Sequence, residues 1–329
     1  MNSGRSSDQV EPIDPDVARF VAAIIEGSAR YPDFASRPLA ERRAIIEKVR
    51  EPWRSGGPAV ARREDLAIPF GDRSVRVRVL ANDGDGLRPA LVYLHGGGFV
   101  LLSLDSHDRL MREYAAAGDL VVIGVDYSLS PEARFPTALN EVIAVVDWLA
   151  EAAPGLGVDP TRIAIGGDSA GANLALSTCL ALRDRGGNQP IAGMLLNYGF
   201  FDADFATESQ RRDGEPGGML TRDELADFLD QYFEPGASRD DPLALPGLAD
   251  LHDLPPSFHV VAGRDPLADC DRSVAERMAA AGNAVEMKIY AAATHSFLEA
   301  MSISALAREA IADSAHWLQH NLAAQGVDA

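Results

Sequence analysis

Residues 162–182 read RIAIGGDSAGANLALSTCLAL, and this stretch decides how the chain folds. Residues 162–165 make a short apolar strand, residues 170–182 make a helix, and Gly167-Asp168-Ser169-Ala170-Gly171 joins them. A G-x-S-x-G turn has mechanical meaning in that setting: only small residues fit beside the serine, and the tight turn pushes its Oγ out at the carboxyl edge of a sheet. The helix N-terminus just behind favours negative charge developing there. The pentapeptide alone would read as readily as an N-cap serine in a glycine turn. The strand before it and the helix after it favour a nucleophile at Ser169.

Working outward, short continuous apolar runs recur at residues 90–94, 120–125, 163–165, 191–196, 258–262 and 285–290, with helical stretches such as 139–149 between most of them. Strands buried on both faces and alternating with helices predict a mostly parallel sheet with helices on both sides. Residues 75–79 alternate valine with arginine, as in a half-exposed strand, and residues 82–86 form a turn. Residues 1–60 are helical, polar and broken by prolines, and each helix has one apolar face to bury. The charged, Gly- and Pro-rich interval after Tyr198 is too long for a bare loop. It carries one helix, residues 222–233, opened by Thr221 with Glu224 as a capping box. The expected organisation is an N-terminal part of a helical cap (1–60), a first core segment (61–199), a cap insertion (200–245) and a second core segment (246–329).

The strand at 90–94 runs into His95-Gly96-Gly97-Gly98-Phe99. Consecutive glycines let backbone N–H groups approach a ligand unobstructed, as an oxyanion hole requires. Gly97 and Gly98, with the N–H of Ala170, are the candidate donors. Seven histidines compete for the role of base. His259 lies within a strand, His107 in a polar segment, His316 and His320 on the last helix and His252 in the insertion. The first four read as structural or solvated, and His95 as shaping its loop. His295 follows the strand at 285–290 through a short Ala-Ala-Ala-Thr loop, at the carboxyl end of the sheet where ligands meet in such folds. Asp265 leaves the carboxyl end of the strand at 258–262 and is the candidate acid. Asp269 is second, since it and Asp271 fall in the first turn of the next helix, where acids favour the dipole. The chain order Ser169, Asp265, His295 is the one this architecture uses. Asp168 is given no role. Met219, Leu220, Leu225, Phe228 and Phe233 either line an acyl pocket or simply pack.

Composition sets the outer bounds. The 329 residues carry a formal net charge of −19 and are 47% hydrophobic, enough for a large buried core. Such a charge repels phosphate backbones and anionic membrane surfaces, which excludes nucleic acid and membrane as expected partners. Cys179 and Cys270 have no metal-ligand spacing and imply no disulfide framework. With no signal-like segment and no apolar run near about 18 residues, the expectation is a soluble, cytoplasmic protein.

With these motifs placed, the chain resembles the hormone-sensitive-lipase-like family of α/β-hydrolase carboxylesterases over residues 65–322, and within it bacterial acetyl esterases. HGGGF and GDSAG carry the resemblance, together with residues 104–109, residues 126–132 with Phe135-Pro136, and residues 265–269. The family's usual Arg-Leu-Ala is Ser128-Leu129-Ser130 here, and its usual His-Gly-Phe is His295-Ser296-Phe297, a change that bears on how the histidine loop packs. The resemblance implies an α/β-hydrolase fold, a serine esterase without metal or cofactor, a cap built from the N-terminal helices and an insertion, and short acyl substrates. The expected partner is a small-molecule ester, and a homodimer is left open. Two alternatives stay in view: a serine peptidase or amidase on the same fold, and a non-catalytic small-molecule receptor.

Overall fold

The apolar runs become strands because each is covered on both faces. The computed structural model describes residues 11–186 and 190–324; the polar residues 1–10 at the start of the expected cap lie outside them. The chain begins with α1 (Pro15–Ala29) and α2 (Leu39–Arg54), then β1 (Arg62–Phe70), β2 (Arg73–Ala81), β3 (Arg88–Leu94) and α3 (Leu104–Gly118). Next come β4 (Val121–Asp126), α4 (Thr137–Ala152), β5 (Val158–Asp168), α5 (Ala170–Arg185), β6 (Gly193–Asn197), α6 (Glu208–Asp213) and α7 (Arg222–Tyr232). The chain closes with β7 (Ser257–Arg264), α8 (Ala268–Ala280), β8 (Val285–Thr294) and α9 (Ala305–Ala324). Among the described residues the strands form one sheet in the order β1-β2-β4-β3-β5-β6-β7-β8. Strands β3 to β8 pair in parallel, while β2 pairs antiparallel with both β1 and β4. This is the α/β-hydrolase fold expected from the strand–helix alternation.

Alternate residues of each strand serve opposite layers. Leu91 and Tyr93 pack with Leu110 and Tyr114 of α3 and with Ile311 and Leu318 of α9. Val92 and Leu94 pack with Val142 of α4, Leu174 of α5 and Val274 of α8 on the other side. Burial on both faces is why these strands lack polar alternation. It also leaves their carboxyl ends as the edge where polar loops can gather. Among the described residues no helix is long and apolar enough to cross a membrane.

Two expectations need correction. The strand at 75–79 is not half exposed throughout: Arg78 is buried, with Asp65 on β1 and Asp105 and Asp108 on α3 taking its guanidinium. The hydrogen bond from Arg78 holds the Asp65 carboxyl down at about 2. Strand β1, which supplies Asp65, carries little strand signal in sequence because it is mostly exposed and charged. The Ala-Ala-Ala-Thr segment before His295 is not a loop but the end of β8, which continues to Thr294 past a register shift against β7. His107, expected to be structural or solvated, is structural: it is buried on the face of α3 that packs on the sheet.

The N-terminal helices and the segment between β6 and β7 are held to the rest of the fold by specific bonds. Asp14 caps α1 and its own N–H donates to Ala292 O on β8 at 2.8 Å. On α2, Arg43 donates to the carbonyls of Val100 and Ser130, both at 2.7 Å, and to the carboxylate of Glu132. Within the insertion, Thr221 and Glu224 form the expected capping box at the start of α7. The far end of α7 is fixed by Phe135 N–H on Tyr232 O, and by Tyr232 stacked on Phe99 with centroids 3.8 Å apart. Helix α6 docks elsewhere, where Ser209 N–H donates to Asp269 at 2.8 Å.

Candidate active site

Ser169 stands where β5 ends and α5 begins, with φ 56°. That backbone conformation is uncommon for a residue with a side chain. It is held by Ser169 N–H on Asn197 O at 2.9 Å and by Phe200 N–H on Ser169 O at 3.2 Å. The glycines on either side are required by space: a β-carbon at Gly167 or Gly171 would collide with the carbonyl oxygen of Leu94 on β3.

His295 follows β8 directly, and Asp265 follows β7 directly, so adjacent parallel strands deliver both to one edge. His295 Nε2 lies 3.1 Å from Ser169 Oγ, and His295 Nδ1 lies 2.7 Å from Asp265 Oδ2. A carboxylate only accepts, so Nδ1 carries the proton and Nε2 is left to accept from the serine hydroxyl. The other Asp265 oxygen accepts Leu267 N–H at 2.8 Å. Ser169 is 5% exposed, His295 6% and Asp265 0%, which shields the chain of hydrogen bonds while leaving the serine end open. Asp269 is not in this chain; it accepts from Ser209 and Arg272.

The glycine loop faces the same point. Gly97 and Gly98 have φ 113° and 61°, and a β-carbon on Gly98 would run into the ring of Phe228. Gly97 O accepts from Val100 and Leu101, while among the described residues the N–H groups of Gly97 and Gly98 donate to no protein acceptor. Ala170 N–H is at the first position of α5, where no intrahelical acceptor exists.

Asp168, given no role from the sequence, ties this loop to the elbow. Its Oδ1 accepts from Tyr93 OH at 2.8 Å and from Gly96 N–H at 3.2 Å, and its Oδ2 lies 3.2 Å from His107 Nε2. Burial alone would raise the Asp168 carboxyl, but the charge and hydrogen bond of His107 outweigh it and hold the group below its usual range. Burial would likewise lower His107, and Asp168 reverses that, so His107 is raised. His95 stacks on Tyr127 at 4.4 Å and is pushed down to about 4, first by burial and then by the charge of His107. It is neutral, and its carbonyl accepts Tyr127 OH at 2.6 Å. His259 pairs with Asp271 in the core, away from Ser169.

Ser169 and His295 open into a cavity of about 240 Å³ walled by residues of α1, α2 and α7. Met219, Leu220, Leu225 and Phe228 line it, whereas Phe233 packs in the core instead. Ile46 and Arg50 of α2 also line it. Arg50 escaped the sequence reading, although its place four residues after Ile46 puts a charge on an apolar helix face. Among the described residues no cluster of side chains is arranged to hold a metal ion.

A family model described as the alpha/beta hydrolase fold matches residues 91–299. The structure is similar to that of a hyperthermophilic esterase from the archaeon Pyrobaculum calidifontis, at 32% identity and TM-score 0.86, covering 94% of this chain and 99% of that one. It is similar to a thermostable carboxylesterase cloned from a metagenomic library, at 33% identity and TM-score 0.84, covering 88% and 99%. A third similar structure comes from a study of two Rhizomucor miehei esterases, at 30% identity and TM-score 0.88, covering 95% and 99%.

Proposed function

The chain belongs to the hormone-sensitive-lipase-like family of α/β-hydrolase carboxylesterases and is a carboxylic ester hydrolase; from that premise we propose that it cleaves short-chain acyl esters through an acyl-enzyme on Ser169. Ser169 Oγ attacks the ester carbonyl as His295 Nε2 takes its proton. Asp265 keeps His295 in the tautomer that can do so and stabilises the imidazolium that forms. The carbonyl oxygen becomes an oxyanion, received by the N–H groups of Gly97, Gly98 and Ala170. The tetrahedral intermediate collapses, His295 returns the proton to the leaving alcohol, and water repeats the sequence to release the acid.

The observation that carries this reading is the unbroken chain Ser169 Oγ–His295–Asp265 opening on the capped cavity. The cavity is small beside ligand pockets of roughly 300–1,000 Å³. Its apolar wall from α7 and the acidic net charge favour small, water-soluble esters over a lipid surface. The test is a series of aryl acetate, butyrate, octanoate and palmitate, beside an aminoacyl amide. The expected kcat/KM is highest for acetate and butyrate and falls sharply past octanoate. Highest activity on palmitate would make the protein a lipase, and cleavage of the amide with no esterase activity would make it a peptidase.

A further inference from the structure

Arg50 is 8% exposed and sits in the wall of the cavity that holds Ser169 and His295. Its Nε donates to Glu299, at 3.0 Å to Oε2 and 3.4 Å to Oε1. Among the described residues neither Nη1 nor Nη2 meets a protein acceptor. A guanidinium presents its donors as a rigid fork, and here only the inner corner is used. With Nε engaged and the terminal nitrogens accessible rather than sealed, the fork is free to take an acceptor from whatever fills the cavity.

The position of Arg50 says which part of an ester would supply that acceptor. Glu299 belongs to the turn Phe297–Ser302, just after His295 and Ser296, and Ser296 also lines the cavity. On the esterase reading, His295 Nε2 hands its proton to the leaving oxygen, so the alcohol portion passes along this wall. Charge says what kind of acceptor it would be. Glu299 already balances Arg50, and Glu224, also among the residues lining the cavity, carries a further carboxylate. A carboxylate ligand would add to that negative charge, whereas a neutral oxygen takes the hydrogen bond without it.

Resting on that reading, we infer that the site is shaped for short-acyl esters whose alcohol portion carries a second, uncharged oxygen acceptor (an ether, hydroxyl or carbonyl oxygen), received by Nη1 and Nη2 of Arg50. The probes are 2-methoxyethyl acetate and n-butyl acetate, which differ by one oxygen in place of a methylene and form the same acetyl-enzyme. Their kcat/KM ratio therefore reports only the step that handles the alcohol. Comparing that ratio between variants cancels their intrinsic reactivity. Arg50→Met/Glu299→Met removes the fork without leaving an unpaired buried carboxylate, and Arg50→Lys keeps the ion pair while losing the fork. The methoxyethyl-to-butyl ratio is expected to fall roughly tenfold from wild type to the double variant, the low end for a hydrogen bond to a charged group, and at least about threefold in Arg50→Lys, where the bond is weakened rather than removed. A ratio unchanged in either variant, even with both rates lowered together, would make Arg50 a strut between α2 and the histidine turn and overturn the inference. Wild-type protein that cleaves neither of these esters, nor an aryl acetate, would instead sink the esterase reading.

Discussion

Two buried histidine–aspartate pairs flank Ser169, and they differ in what the second ring nitrogen meets. His295 bonds Asp265 through Nδ1 and turns Nε2 to Ser169 Oγ, at the wall of a cavity. His107 bonds Asp168 through Nε2 and has its Nδ1 engaged by Ser106 Oγ at 3.0 Å, with no face to the cavity. On the proposed mechanism the same two side chains make a proton relay in one place and a strut in the other. What separates them is access. A strap between the glycine loop and the elbow needs a fixed charge pair, whereas a base needs one nitrogen free to exchange its proton.

The largest expected effect that tests this contrast is on the first pair. Asp265→Asn leaves the shape but offers His295 a donor where it needs an acceptor, and kcat should fall on the order of 10⁴-fold with the fold intact. Loss of less than about tenfold would remove Asp265 from the relay. Next is the loop that Asp168 anchors through Gly96. Gly97→Val forces a β-branched side chain onto φ 113° and against the carbonyl of Leu101. It should cost about 10²-fold in kcat, the worth of a misplaced oxyanion donor. Full turnover in that variant would make the loop structural only.

The second pair should show itself in stability and in its pH dependence. His107→Gln leaves Asp168 buried without its cation and should cost roughly 3 kcal/mol near pH 6. Because His107 is raised in the folded state, its stabilisation is full below the ordinary histidine value near 6.5 and is lost as pH climbs through the raised one. Asp168 is lowered, so its share is lost only in acid. The Tm gap between wild type and His107→Gln should therefore narrow above neutral pH. A gap that widens there would mean His107 is neutral in the native protein. The smallest effect concerns Ser296, which holds φ 60° where the family has glycine. Ser296→Gly should gain roughly 0.5 kcal/mol by relieving the left-handed backbone, read as a small rise in Tm. A fall would show that the serine side chain holds the histidine turn in place.

Much of this was legible in the sequence because it depends on local constraint. The elbow at Ser169 needs small neighbours, a strand before it and a helix after it, and all three are adjacent in the chain. The sheet could be read from runs of apolar residues because covering both faces removes the alternation. Asp265 and His295 could be proposed from that, since each comes shortly after a strand, at the carboxyl end of a parallel sheet. What escaped were partnerships across the fold. Asp168, His107 and Tyr93 come from three elements, and nothing near any one of them in sequence signals the others. Arg78 looked solvated because its carboxylate partners lie on β1 and α3. Arg50 was hidden in the same way, its partner Glu299 being 249 residues away. The extension of β8 was missed because alanine and threonine carry little strand signal.

The most direct test of covalent catalysis at Ser169 is intact and peptide mass spectrometry after exposure to diethyl 4-nitrophenyl phosphate, an agent that phosphorylates activated serines. The expected result is a single diethylphosphoryl group on Ser169 in wild type, gained in step with the loss of acetyl-esterase activity. Ser169→Ala should take up no label, and its activity should fall by on the order of 10⁶. Labelling elsewhere, or esterase activity near wild type in Ser169→Ala, would contradict the assignment of Ser169 as the nucleophile.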